Sequence, residues 1–413
     1  MGYATSPVYS APAADAALAL RHGPPEAVRA ALLAARERTL ALAQDYVAAL
    51  GPALPVPYSQ ELNPPLWELG HIAWFQEWWI ARNAQRGLGF TAPASGQRTA
   101  SVLPSADDWY DSSRVPHASR WQLPLPDGEA TDTYLACTLA RTLELLDELP
   151  EPAGDEALYF FRLAALHEQM HAEAAVYMAN TLGIPVRDGA QAPSAGPPAQ
   201  IEVRGQRFEM GAAPGGFAFD NELPTRLVDL APFTIDAEPV TWGAFLPFVE
   251  AGGYVQPQWW TEEGQAWLRQ QQPPLPAGLR RADGGWQQLR HGRWERLRED
   301  EVAVHLSAHE AEAWCRWAGR RLPSEAEWEC AALTRPGFRW GHAWEWTASR
   351  FEPYPGFAPH PYRDYSQPWF GTHRVLRGAS RATAPALAHA RYRNFFVPQR
   401  RDILAGWRSA RSL

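Results

Sequence analysis

Four prolines, Pro185, Pro193, Pro197 and Pro198, fall among alanine, glycine and serine within residues 184–199. Each removes a backbone donor and fixes φ, so no helix or sheet is expected to run through this linker, and the chain divides there. Its length of 413 residues also exceeds the size at which a single core usually stops growing. Residues 1–183 carry apolar positions near a 3.6-residue period over about 24–50, 63–86, 130–149 and 155–182, which predicts a four-helix bundle. Residues 200–413 are rich in Gly, Trp, Pro and Arg. They show β-like runs such as Ile201–Met210 and one clear helix around Ser307–Ala318, the texture of an α+β domain.

The fourth helical segment contains His167-Glu168-Gln169-Met170-His171, with two imidazoles at i and i+4 on one face. Phe160, Leu163, Ala164, Ala174 and Met178 share that face, so it points into the bundle. The second segment opens at Asn63-Pro64-Pro65, an N-cap candidate followed by proline in the first turn. Its His71 lies in a stripe with Trp67, Trp74, Phe75 and Trp78 and faces inward as well. A single inward histidine would be read as a hydrogen-bonded core residue, and an i,i+4 pair alone as a pH-sensitive element. Three together predict a metal site built from facing helices. Three neutral imidazoles would leave Fe(II) with open positions for oxygen and substrate, analogous to the facial triads of non-haem iron enzymes. The same residues match the zinc-protease pattern, with Glu168 as the base, and a zinc hydrolase is the rival reading. No downstream third-ligand pattern accompanies it.

A net charge of −8 and the absence of a basic run argue against nucleic-acid and anionic-membrane partners and favour a small-molecule substrate. All basic residues are Arg, which excludes a lysine Schiff base. Cys137, Cys315 and Cys330 are too few and scattered for a disulfide framework, and neither a signal segment nor an 18-residue apolar run is present. A cytoplasmic location is expected. The 20 Trp exceed what packing normally requires, which points to aromatic-walled sites. The connection at about 87–129 is long enough to carry function.

Asn63-Pro64-Pro65-Leu66-Trp67-Glu68-Leu69-Gly70-His71-Ile72-Ala73-Trp74-Phe75, taken with His167–His171, resembles the helical domain of ergothioneine-type sulfoxide synthases. Arg321-Leu322-Pro323-Ser324-Glu325-Ala326-Glu327-Trp328-Glu329 and Gly341-His342-Ala343-Trp344-Glu345-Trp346-Thr347 resemble signatures of formylglycine-generating-enzyme-like domains. The resemblance implies a DinB-like four-helix bundle followed by a C-type-lectin-like domain. Formylglycine formation itself is not expected, because that chemistry uses a late cysteine pair and no cysteine follows Cys330.

The resemblance also implies roles. Iron would be held by His71, His167 and His171. Tyr362 would give a proton during oxygen chemistry, with Tyr365 as the alternate donor. Asn394 and Phe395 would hold the trimethylammonium of hercynine, and Met170 stands where some relatives place a Gln against its imidazole. Phe396 occupies the position of an Asp that meets the ammonium of γ-glutamylcysteine in one branch, and Arg114 and Arg120 on the long connection are candidate donor contacts. The variant Gly70–Asn83 is most similar to the selenoneine synthase branch, which joins hercynine to a selenosugar with O2. The alternatives are a sulfoxide synthase using cysteine or another thiol, the zinc hydrolase, and a non-catalytic metal- or sugar-binding protein.

Overall fold

The computed structural model describes residues 11–187, 194–196, 198–271, 274–282 and 284–413; Pro193 and Pro197 of the linker lie outside them. The helical half comprises α1 (Ala11–His22), α2 (Pro25–Leu50), α3 (Pro65–Gln76), the short α4 (Ala106–Tyr110), α5 (Gly128–Asp147) and α6 (Asp155–Leu182). Helices α2, α3, α5 and α6 bury their apolar faces against one another around Leu32, Phe75, Leu135 and Phe161, all at most 1% exposed. Among the described residues no helix is long and apolar enough to cross a membrane. The three cysteines are free.

Helix α3 departs from expectation at both ends. Pro64, not Asn63, is its N-cap residue, and the Asn63 amide instead donates to Glu68 Oε1 at 2.6 Å. The regular α-helix stops at Gln76 and passes into a π-helical turn, Glu77–Ala81, closed by Arg82 N to Glu77 O at 2.9 Å. The wider turn rotates Trp79 inward, where it stacks on Phe160 with ring centroids 5.3 Å apart. Trp78, expected in the inner stripe, is only half-buried and lies beneath the Arg82 and Arg98 guanidiniums. Buried Glu77 sustains the turn by accepting from Tyr134 Oη (2.7 Å), Ser101 Oγ (2.6 Å) and Val102 N (2.8 Å). The long connection is thereby sewn to α3. Asp107 adds bonds from Trp74 Nε1 (2.7 Å) and Arg82 (2.7 and 2.8 Å).

The second half runs β1 (Gln200–Val203), β2 (Gln206–Met210), β3 (Arg226–Leu230), β4 (Phe233–Asp236), α7 (Trp242–Glu250), α8 (Glu262–Leu268), β5 (Leu279–Ala282), β6 (Gly285–Arg290) and β7 (Arg293–Arg296). It continues with α9 (Ala308–Trp317), α10 (Glu325–Thr334), β8 (Trp344–Arg350), β9 (Arg374–Gly378), β10 (Asn394–Phe396), β11 (Ala405–Gly406) and β12 (Ala410–Ser412). The largest sheet has the order β10-β9-β8-β11, and small antiparallel sheets β1-β4-β12, β2-β3 and β5-β6-β7 surround it. Ser307 and Ser324 open α9 and α10 with reciprocal capping boxes to Glu310 and Glu327.

Buried ion pairs tie the motif segments into this core. Arg393 meets Glu325 at 2.8 and 2.9 Å, Arg377 pairs with Glu329, and Glu345 accepts from Arg408 and from Trp328 Nε1 at 2.8 Å. Trp328 and Trp346 are wholly buried, so these motifs determine the fold. The halves are joined by Arg21–Glu222 (2.7 Å), Tyr159 Oη–His360 Nδ1 (3.0 Å) and Trp344 Nε1–Glu173 (2.7 Å).

Gly70 is required by a close approach: a Cβ there would lie 2.1 Å from the Tyr110 ring, whose backbone holds the neighbouring His71. Gly70→Ala should therefore cost about 1–3 kcal/mol in chemical denaturation. Unchanged stability would mean that Tyr110 is not fixed against α3.

Candidate metal centre and adjoining cavity

His167 and His171 stand one turn apart on α6, with Nε2 atoms 3.1 Å from each other. His71 comes from α3, its ring centroid 5.1 Å from His167 and 4.9 Å from His171. One ligating nitrogen from each of the three lies within 4.8 Å of the others. Hydrogen bonds on the far side of two rings set their orientation. His71 Nδ1 donates to Tyr110 O at 2.7 Å, and His171 Nδ1 donates to Glu68 Oε2 at 2.5 Å. Both bonds place the proton on Nδ1 and leave the Nε2 lone pair pointing into the cluster. Stacking fixes the planes: Trp67 on His71 (4.8 Å, 9°) and Phe75 on His167 (3.5 Å, 5°).

Burial, with His171 beside it, pushes the His71 imidazole down to about 3. His167 is held well below its ordinary value, again chiefly by burial. These rings are neutral at physiological pH, the state that binds metal. Lone pairs converging at 3.1 Å without a cation would repel, and three imidazole donors suit a borderline divalent ion such as Fe(II) or Zn(II). The donor set therefore fits a bound metal. Glu168 does not serve it. Its carboxylate is 2% exposed and engaged by Arg36 at 2.8 Å, with Arg36 also bound to Gln76 Oε1 at 2.8 Å. The zinc-hydrolase reading needs a free carboxylate at this position and loses its base.

Tyr362 approaches the cluster from the other half. Its ring meets Phe75 edge-on at 5.0 Å and lies 6.3 Å from His167. Tyr365 points elsewhere, donating to Tyr392 Oη at 3.0 Å. Burial raises both phenols above their ordinary range, so each keeps its proton. The loop that carries them is anchored at Asp220, which accepts from His360 N at 3.4 Å and from Ser366 Oγ.

Met170, the residue before His171, opens onto a cavity of about 180 Å³ whose lining also includes Tyr365, Asn394, Phe395 and Phe396, all singled out in the sequence. Phe395 stacks on Phe351 at 4.0 Å, and Asn394 Oδ1 accepts from Phe395 N at 2.9 Å. Arg400, paired with Asp402 at 2.8 Å, lies over Phe396 at 4.7 Å. Arg120 sits 3.8 Å above Trp67 and donates to Asn63 Oδ1 at 2.8 Å. Arg114 is solvent-exposed and pairs with Asp111 at 3.2 Å; it does not line the cavity.

Sequence reasoning passed over Glu68, Tyr110, Glu173 and Arg400. Glu68 had a usable signal, since it lies three residues before His71 and so on the same helical face. Tyr110 contributes only its carbonyl, which no side-chain pattern announces. Glu173, three residues after Met170, lines the cavity; burial raises its carboxyl, opposed by donors from Ser380, Trp344 and Thr383.

The sulfatase-modifying factor enzyme 1-like domain family matches residues 187–340. The hercynine oxygenase of Mycolicibacterium smegmatis is 34% identical, with the alignment covering 92% of this chain and 97% of the relative. That of Mycobacterium tuberculosis is also 34% identical, covering 94% and 99%. The formylglycine-generating enzyme of Streptomyces coelicolor is 31% identical over 44% of this chain and 78% of its own length.

Glu68→Gln should weaken metal binding about 10–100-fold in an anaerobic Fe(II) titration, because His171 loses its charged acceptor. Wild-type affinity in that variant would remove Glu68 from the centre.

Proposed function

The chain belongs to the hercynine oxygenase family, and from that premise we propose that it is a non-haem iron enzyme that uses O2 to join a chalcogen to C2 of the hercynine imidazole, with a selenosugar as donor. The single observation that carries the metal assignment is the convergence of His71, His167 and His171, with Nδ1–H bonds to Tyr110 and Glu68 leaving Nε2 free. Fe(II) in this site would keep coordination positions open and supply the electrons that activate O2.

The protein's own groups do the rest. The betaine head would lie against Asn394 and Phe395, with Met170, the residue before His171, lining the same cavity. Holding donor and acceptor together removes much of the entropic barrier to their union. Tyr362, kept protonated by burial and with its ring 6.3 Å from that of His167, can deliver a proton to an oxygen that gains charge there. Tyr365, bound to Tyr392, orients the cavity wall and is the second candidate.

The choice of donor turns on Phe396. Its ring offers no carboxylate to an amino-acid ammonium. A thiol such as cysteine carries that ammonium, whereas a selenosugar does not. This supports the selenosugar, and the sulfoxide synthase remains the second reading because relatives carry the hercynine oxygenase name.

Enzyme loaded anaerobically with Fe(II), then given air and hercynine, should yield an oxygen-dependent C–Se product with a selenosugar and little product with cysteine or γ-glutamylcysteine, as read by mass spectrometry. A sulfoxide formed preferentially from a thiol would overturn the donor assignment. Tyr362→Phe should lower product formation by about 10²-fold or more while iron stoichiometry stays unchanged. Undiminished product would transfer the role to another group.

A further inference from the structure

Helix α6 borders two cavities with two different stripes of its surface. Met170, Glu173 and Tyr177 line the one assigned to hercynine, whereas His171, Ala175 and Met178 line a second, of about 40 Å³, between α2, α3 and α6. Within each set the residues follow at three- and four-residue steps, as positions on one helical face do. The two linings share no residue, and the second includes the metal-site residue His171 itself.

Packed interiors seldom keep a void larger than a water, because its walls forfeit their contacts. Short side chains keep this one open: Ala43 of α2 lies in its wall with Ala172 and Ala175 of α6. Most of the remaining wall is apolar, including Leu42, Leu54 and Ile72. Water is poorly served there, since a buried water needs about two to four polar partners. Tyr46 Oη is bound to Ala175 O at 2.7 Å, and the Glu68 oxygens are taken by Asn63 and His171. Among the lining side chains only Thr39 Oγ1 is buried without a partner. Where one water occupies about 10–15 Å³ of such space, 40 Å³ admits a diatomic molecule but neither hercynine nor a sugar. Ala43, Leu69 and Ala175 are half-buried, so the void lies close beneath the surface.

We propose that this apolar cavity is a docking site for O2 and gives it an approach to the metal centre, past His171, that is separate from the hercynine cavity. The inference rests on the reading of the protein as an O2-using iron enzyme. O2 is small and apolar, so it gains by leaving water for such a space. A separate approach also lets O2 arrive when the larger substrates already fill the cavity lined by Met170 and Asn394.

Two measurements test this. Crystals of the metal-free protein pressurised with xenon, an apolar probe, should show a xenon peak between Ala43, Ile72 and Met178. An empty cavity under xenon would overturn the docking site. In the Fe(II)-loaded enzyme supplied with hercynine and donor, Ala43→Leu and Leu69→Phe fill the space from different helices. Each should lower kcat/KM for O2 about fivefold or more, with the KM for hercynine and the iron stoichiometry unchanged. Met178→Leu, which nearly conserves volume, should match wild type. Filled variants that keep the wild-type dependence on O2 would overturn the approach past His171. The xenon result decides the site even where a filled variant does not fold. Wild type that takes up xenon yet gives no O2-dependent product with any donor would overturn the reading as an O2-using enzyme, and this inference with it.

Discussion

The bond from His171 Nδ1 to Glu68 at 2.5 Å, with its counterpart from His71 to Tyr110 O at 2.7 Å, sets the condition for everything else at the site. A buried imidazole has two nitrogens and can direct only one lone pair at a metal. Placing the proton on Nδ1 decides which, and the decision is made by α3 and α4 before any ligand arrives. That explains why Gly70 leaves no room between α3 and Tyr110, and why the long connection is pinned through Asp107 and Glu77. If that connection loosened, the Tyr110 carbonyl would move and His71 would be free to turn.

A division of labour between the halves follows from the same geometry. The bundle supplies the three imidazoles, while the second half supplies Tyr362 and most of the cavity wall. Its buried Arg–Glu pairs, such as Arg393–Glu325, hold the irregular segments between short strands rigid enough to present those side chains. Individually such pairs are weak evidence for stability, because desolvation offsets attraction. Here each arginine also bonds backbone carbonyls, as Arg393 does with Asn221 O at 2.7 Å, so it organises chain that no ladder reaches.

The helices were readable because a 3.6-residue period over 20 or more residues is a strong signal, as in α6, and the inward facing of His71, His167 and His171 followed from it. The end of α3 was not readable. A π turn depends on Glu77 finding partners at Ser101, Val102 and Tyr134, and helical periodicity carries no information about them. In the second half the strands are too short for alternation to speak: β10 and β12 have three residues each and β11 has two. There the motif resemblance carried the fold, and the family match over 187–340 agrees with a formylglycine-generating-enzyme-like domain. The cavity joins α6 to residues more than 170 positions later, such as Trp344, and Glu173 was missed for that reason.

The central claim is that three imidazoles hold one iron beside a cavity shaped for a betaine. A crystal structure of the anaerobic Fe(II) and hercynine complex, with anomalous data at the iron edge, tests it most directly. The account predicts a single iron peak within bonding distance of Nε2 of His71, His167 and His171, with the trimethylammonium in the cavity against Asn394 and Phe395. Iron bound elsewhere, or hercynine seated outside that cavity, would contradict it.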